Sequence, residues 1–287
     1  MNATTAPQEL SEEVKQRARA TRRTRVRRTL IVTLWQVAIV AALLAGWQWI
    51  PKIKGAKHVS PVFDSFFVSS PTRVARELYW LATGAHNTPT IWVPFERSVV
   101  PAIVGTAIAI AVGAVAGLVC SNWGTLNRVA RPFILVGNSL PRIALIPIVV
   151  VIAGPTKTAD VVIGFAVVFF LVFFNAYEGG ISVPPETLEN VRILGASRWQ
   201  ELRRVRFPYV LVWTFASLPN AIAFGLTAIV TAELFTGSTG LGELLIVAVQ
   251  TANADLTFAV TIVLGLTGLA LIAGATGIRS RVLHWWY

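Results

Sequence analysis

The chain has 287 residues, of which 54% are hydrophobic and only 14% charged, and its mean hydropathy is +0.64. A soluble domain carries about 25% charged residues, so this composition excludes a soluble enzyme or binding module and indicates an integral membrane protein. The formal net charge of +11 does not point to nucleic acid, because the cations stand at the ends of apolar runs instead of forming a basic face on a soluble fold.

Residues 1–28 form a polar arm whose cations crowd toward its end: Lys15, Arg17, Arg19, Arg22, Arg23, Arg25, Arg27 and Arg28. Thr21-Arg22-Arg23 imitates a twin-arginine signal. The apolar run at 29–50 is nevertheless long enough to cross a bilayer, and no small-x-small cleavage site follows it. The arm therefore reads as a positive-inside anchor, with a cytoplasmic N-terminus. Residues 51–97 form an extracytoplasmic connection containing Lys52, Lys54, Lys57 and Asp64. Ser70 or Thr72 is placed to cap a short helix over about 72–81.

Residues 98–283 are a core of five further apolar runs, at roughly 98–120, 134–153, 161–177, 209–235 and 256–278, before a tail at 284–287. At about 20 residues per crossing, the expectation is an all-α polytopic fold of six transmembrane helices, in which each backbone N–H and C=O finds its partner within its own segment. Starting inside, six crossings put the loops 121–131 and 183–206 and the C-terminal tail on the cytoplasmic side. Those stretches hold Arg128, Arg131, Arg192, Arg198, Arg203, Arg204, Arg206, Arg279 and Arg281, whereas the outer loops after the third and fifth runs hold only Lys157.

Polar residues inside the apolar runs are few. Arg142 stands in Ser139-Leu140-Pro141-Arg142-Ile143-Ala144-Leu145-Ile146-Pro147, where it either snorkels to the inner interface or carries a pore-side or inter-subunit charge. Glu233, near the outer end of the fifth run, is a candidate for a structural hydrogen bond or for an outer gate, and the glycines of Gly237-Ser238-Thr239-Gly240-Leu241-Gly242 suit a tight return loop. Asn138, Asn175 and Asn220 suit interhelical hydrogen bonds, with lining of a pathway as the alternative. Gly113-x-x-x-Gly117 permits close helix packing, and Cys120 reads as a small buried hydrophobe that allows no intramolecular disulfide.

The polar island at 184–206 interrupts this pattern. Pro184-Pro185 open a helix with Glu186 and Glu189 toward its positive end, and Leu188, Val191 and Leu194 share one face. Gly195 suits the left-handed turn that ends it. Ser197 and Gln200, three apart, form a capping box for a second short helix carrying Trp199, Leu202 and Val205 on one side, and Pro208 marks the start of the next crossing.

Glu189, then Gly195-Ala196-Ser197 six residues on, then Phe207-Pro208 closely resembles the EAA loop of ABC-importer permeases, with Asn190 and Val191 in place of the two alanines. Phe66-Phe67-Val68-Ser69-Ser70-Pro71, the proline-rich run around Arg142, and Ala232-Glu233 with Ser238-Thr239-Gly240-Leu241-Gly242 are similar to segments of the sulfonate, taurine and nitrate branch of that family, so the resemblance extends over about 66–284. It implies a type I importer fold in the bacterial cell membrane. It further implies a second permease copy or paralogue, two cytoplasmic ABC ATPase subunits that bind ATP and Mg, and an extracytoplasmic substrate-binding protein. Carried onto this sequence, the loop would contact the ATPase through Glu189, Leu194, Gly195, Ala196, Ser197, Arg198, Trp199 and Pro208. Relatives in that branch carry sulfonates, nitrate or vitamin precursors, so a small polar organic solute or anion is the expected cargo.

No chemistry is expected on the chain itself. His58, His86 and His284 are isolated, and Gly154-Pro155-Thr156-Lys157-Thr158 lacks the glycine and the strand that a phosphate-binding loop needs. No cofactor is therefore expected here. The competing class, an ion-coupled secondary transporter or channel subunit, would call for several acids or histidines near the bilayer midplane, and few are present.

Overall fold

A computed structural model describes the backbone of residues 6–49, 65–87 and 90–282, and the side chains of that set apart from residues 6–27, 65–66, 87, 138 and 282. These residues are helical or in turns, with no strand among those described. They belong to two compact units, residues 1–73 and residues 74–287.

The first unit holds helix α1 (Ala6–Trp49), the single turn α2 (Ser65–Val68) and the start of α3 (Pro71–Thr83). The part of α1 able to cross a bilayer is Arg28–Trp49, with Ile50 outside the described residues. Trp47 Nε1 donates to the Val68 carbonyl at 2.8 Å, and the open Thr72 amide donates to Gln48 Oε1 at 3.3 Å. A side chain from α1 thus takes the Thr72 amide, where a local cap by Ser70 or Thr72 was expected.

The second unit contains α4 (Trp92–Asn122), α5 (Gly124–Ser139), α6 (Leu145–Ala153), α7 (Lys157–Ile181), α8 (Pro185–Ile193), α9 (Arg198–Glu201), α10 (Phe207–Thr236), α11 (Leu241–Gln250) and α12 (Ala254–Val282). Its core is α4, α7 and α10, joined by buried Ala102, Ile163, Val167, Leu226 and Ile229 at one level and by Ala109, Val168, Val172 and Ala221 at another. Close approach of α4 to α7 depends on glycine. A Cβ on Gly105 would lie 2.6 Å from the Val161 carbonyl oxygen, and one on Gly117 would lie 2.6 Å from the Ala176 Cβ. The packing stripe on α4 is therefore Gly105, Gly113 and Gly117, longer than the pair at 113 and 117 suggests. In lipid, where burial of apolar surface gives helices little reason to associate, such backbone-to-backbone contact is a main source of adhesion.

Five helices among the described residues are long and apolar enough to cross a membrane. The third apolar run differs from the expected continuous helix at 134–153. It is a pair of helices meeting at an 82° bend, and it supplies a sixth crossing only if the pair is counted as one. The cause is local: Leu140 precedes a proline and is held extended (φ −69°, ψ 133°), and Pro141 is itself non-helical (φ −68°, ψ 103°), so the chain restarts through a 3-10 turn at Arg142–Ala144. The return after the fifth run also differs from a bare loop. Gly237 ends α10 in the left-handed region at φ 63°, and the chain then forms the ten-residue α11.

Candidate functional site

Between α7 and α10 the polar island is a compact, heavily hydrogen-bonded loop. Pro184, extended at φ −57° and ψ 134°, leads into Pro185 in the first turn of α8, where a missing N–H costs nothing. The helix ends in a Schellman turn: Gly195, at φ 79°, donates to the Arg192 carbonyl at 2.9 Å, and Ala196 donates to the Val191 carbonyl at 3.2 Å. Two residues on, the capping box is present, with Gln200 N donating to Ser197 Oγ at 3.3 Å and Ser197 N donating to Gln200 Oε1 at 2.8 Å.

The second helix is not a free-standing element. After α9 the backbone widens into a π-turn over Leu202–Arg206, where the Phe207 N–H donates to the Leu202 carbonyl, and it continues directly into α10. Pro208 supplies the reason. Its ring would clash with the carbonyl four residues earlier and it has no N–H to offer, so one wider turn accommodates the proline without breaking the helix. The loop and the fifth crossing are consequently one continuous helical rod from Arg198 to Thr236.

Three residues that sequence analysis did not single out hold the loop in place. Glu201 is buried between two arginines, accepting from Arg192 Nε at 3.0 Å and Nη2 at 3.3 Å and from Arg206 Nε at 3.1 Å. The Glu201 hydrogen bond and charge raise the Arg192 guanidinium further above the arginine range. Arg206 Nη1 also donates at 3.4 Å to the carbonyls of Ser121 and Gly180, the last turns of α4 and α7. Gly180 allows this junction, because a Cβ there would collide with Ser121 Oγ. A polar cavity of about 430 Å³ opens beside the clamp, lined by Trp123, Arg192, Ala196, Arg198, Glu201 and Arg206. The signal was present in the sequence as one acid among five arginines between 192 and 206.

The clamp leaves the loop's tip uncovered. Ile193 is 82% exposed, Leu194 85% and Trp199 66%, while Glu189, Gly195, Ser197 and Arg198 are exposed around them and Ala196 and Pro208 are half-buried.

The intramembrane candidates separate into two groups. Glu233 is buried, and both its oxygens are engaged: Ser98 Oγ donates to Oε1 at 2.6 Å, and Gly242 N donates to Oε2 at 2.7 Å. Leu241 N donates in turn to Ser98 Oγ at 2.8 Å, so one carboxylate joins the starts of α4 and α11 to the end of α10. Gly240 and Gly242 press against it, since a Cβ on Gly240 would collide with the carboxylate and one on Gly242 would lie 2.5 Å from the Val230 carbonyl oxygen. Asn175 Nδ2 donates at 2.8 Å to the Leu171 carbonyl within its own helix. Arg142 and Asn220, by contrast, line a shared cavity of about 480 Å³ between the 140–144 break and α10. The Arg142 guanidinium stands 5.6 Å from the centre of the Phe224 ring, in the middle of α10. The Asn138 side chain lies outside the described residues. Among the described residues no cluster of His, Cys, Asp or Glu could hold a metal ion.

Sequence comparison supplies the context for this arrangement. The family model described as the binding-protein-dependent transport system inner membrane component matches residues 109–283, which include the bent pair, the clamped loop and Glu233. The chain belongs to this family. Among its relatives, the taurine transport system permease protein of Escherichia coli is 24% identical over 88% of this chain and 90% of its own length. The riboflavin transport system permease protein of Chloroflexus aurantiacus is 29% identical over 56% of this chain and 60% of its own length. The nitrate import permease protein of Leptolyngbya laminosa is 25% identical over 77% of this chain and 74% of its own length. The protein is a multi-pass ABC-importer permease of the sulfonate, taurine and nitrate branch, and the members of its family are transport permeases, not enzymes.

Proposed function

We propose that this permease subunit forms part of the translocation pathway of an ATP-driven importer, and that residues 184–206 are the lever through which a separate ATPase drives it. The observation that carries the proposal is the pairing of an exposed apolar tip with a rigid base. Ile193, Leu194 and Trp199 are exposed on a loop whose foot is fastened by Glu201 and Arg206 to the ends of two core helices. Burying such a side chain contributes about 1.5–3 kcal/mol, so three of them on one small surface are enough to anchor a partner subunit. Because Arg198 to Thr236 is one rod, displacement at the tip moves the fifth crossing directly.

In this account the loop and both termini face the cytoplasm, where the arginines cluster. ATP and Mg belong to the partner. A second permease copy or paralogue completes the pathway, and a binding protein delivers cargo from outside. Glu189, Gly195, Ala196, Ser197 and Arg198 frame the apolar tip and set its fit to the ATPase, while Pro208 enforces the π-turn behind it. By analogy with the relatives named for taurine, nitrate and riboflavin, the cargo is a small polar organic solute or anion.

Reconstitution with the ATPase subunits tests the proposal. Gly195→Pro should leave membrane insertion intact, retain nucleotide hydrolysis and abolish ATP-dependent uptake; undiminished uptake in that variant would remove the loop from the mechanism.

A further inference from the structure

The geometry points to a further binding site: the polar cavity beside the Glu201 clamp receives the phosphate of a glycerophospholipid whose headgroup is net negative. This goes beyond the coupling reading, and neither the site nor its test involves an ATPase. Three observations carry it.

The first is a set of unspent donors. The cavity of about 430 Å³ gathers the guanidinium groups of Arg192, Arg198 and Arg206 and the Asn122 amide around one carboxylate, Glu201, so its lining holds a surplus of two positive charges. That carboxylate is already committed: Oε2 accepts from Arg192 Nε, and Oε1 accepts from Arg192 Nη2 and Arg206 Nε. Arg206 Nη1 is spent on the Ser121 and Gly180 carbonyls, which leaves Arg192 Nη1 and Arg206 Nη2 unused. The Arg198 and Asn122 side chains have no hydrogen-bond or ionic partner among the described residues. Like charges gathered this closely repel unless an anion sits among them, and forked guanidinium donors match the oxygens of a phosphate. Because the clamp already fixes Arg192 and Arg206, little ordering remains for the ligand to impose.

The second is level. Two helices long enough to cross a membrane, α4 and α7, end beside the clamp; Asn122 closes α4, and the exposed Trp123 follows it. The cavity therefore stands where crossings leave the hydrocarbon, a level at which indoles collect and basic pockets take anionic headgroups.

The third is the adjoining surface. Helix α5 begins at Gly124 and exposes Leu126, Val129, Phe133 and Val136, spaced three, four and three residues apart on one face. This apolar stripe starts within one turn of the cavity and gives acyl chains a wall to lie along. A free phosphate ion uses the arginines alone, whereas a lipid uses both surfaces. A choline lipid brings a cation to a cavity that already has a positive surplus.

The test uses the full chain, stripped of lipid in an uncharged detergent and titrated with phosphatidylglycerol or phosphatidylcholine of matched acyl chains, with bound lipid counted by native mass spectrometry. The tightest site should prefer phosphatidylglycerol by about tenfold or more, and Arg198→Gln should remove about that factor, as expected for loss of a charged donor. Arg198→Gln leaves every bond of the clamp in place, so it probes the cavity without unfastening the loop. The double variant Arg22→Gln, Arg23→Gln removes more charge, from the N-terminal arm, and should leave the tightest site unchanged. Millimolar glycerol 3-phosphate should not displace the lipid. Equal affinity for the two lipids, no effect of Arg198→Gln, or loss of the tightest site in the arm variant would overturn the proposal. Displacement by glycerol 3-phosphate would overturn the lipid assignment in favour of a soluble phosphate ester.

Discussion

The clamp at Glu201 offers the sharpest test of how the loop is held. Glu201→Gln keeps the shape of the side chain and one acceptor oxygen but removes the charge that Arg192 and Arg206 share. The Arg192 side chain is 59% exposed, so solvent screens its part in the pair and most of the effect falls on Arg206. The Arg206 side chain is 13% exposed, and exchanging a charged for a neutral acceptor there costs about 1–2 kcal/mol. Arg206 still donates to the Ser121 and Gly180 carbonyls, which caps the loss. A total near 2 kcal/mol corresponds to roughly a thirtyfold rise in the open fraction of the loop, since about 1.4 kcal/mol is a factor of ten. Amide hydrogen exchange on the full chain in nanodiscs reads this directly. Amides at 190–206 should exchange roughly thirtyfold faster, while those of Ala221 to Ile229 in the middle of α10 keep their rates. Unchanged exchange in the loop would show that the pair holds nothing, and uniform acceleration through the core would show that it holds the whole bundle rather than the lever.

Three further outcomes follow from the packing. Gly117→Ala should lower the thermal midpoint, because the new methyl would sit 2.6 Å from the Ala176 Cβ and overpacking costs about 1–3 kcal/mol, whereas Gly265→Ala on α12 meets nothing within 4 Å and should hold or raise the midpoint. Glu233→Ala should destabilise by about 1–3 kcal/mol, by leaving the Ser98 hydroxyl and the Gly242 amide without their acceptor; a thermal midpoint equal to that of the parent chain would contradict its role as the junction of α4, α10 and α11. Gly195→Ala should cost about 1 kcal/mol in loop protection through backbone strain alone, since φ is 79° and no neighbour lies within 4 Å of the added carbon, and the measurement is again amide exchange over 190–200.

Much of the architecture is readable from hydropathy because lipid leaves the chain few choices. A run of about 20 apolar residues becomes a helix, and its ends are displaced only by the polar turns that the helix adds beyond the hydrocarbon. For this reason the run at 161–177 corresponds to a helix over Lys157–Ile181, and that at 209–235 to one over Phe207–Thr236. The capping box and the left-handed Gly195 were legible because caps are local, their partners lying within three residues. What the pattern hid is long-range or subtractive. The Glu201 clamp joins residues nine and five positions away and then reaches carbonyls on two other helices, so neither periodicity nor spacing reports it. Hydropathy treats Leu140-Pro141 as apolar, yet that dipeptide turns the third run through 82° and brings Arg142 under α10. The glycine stripe of α4 speaks through what is missing, and Gly105 joins Gly113 and Gly117 only when α7 is seen against it.

A crosslink from the loop's tip is the most direct trial of the central claim. With Cys120 replaced by serine and Leu194 by cysteine, a short photoreactive group at position 194 in the assembled importer should yield one covalent adduct, to the ATPase subunit, and the yield should change when nucleotide is added. An adduct to the extracytoplasmic binding protein, or to lipid alone, would contradict the account.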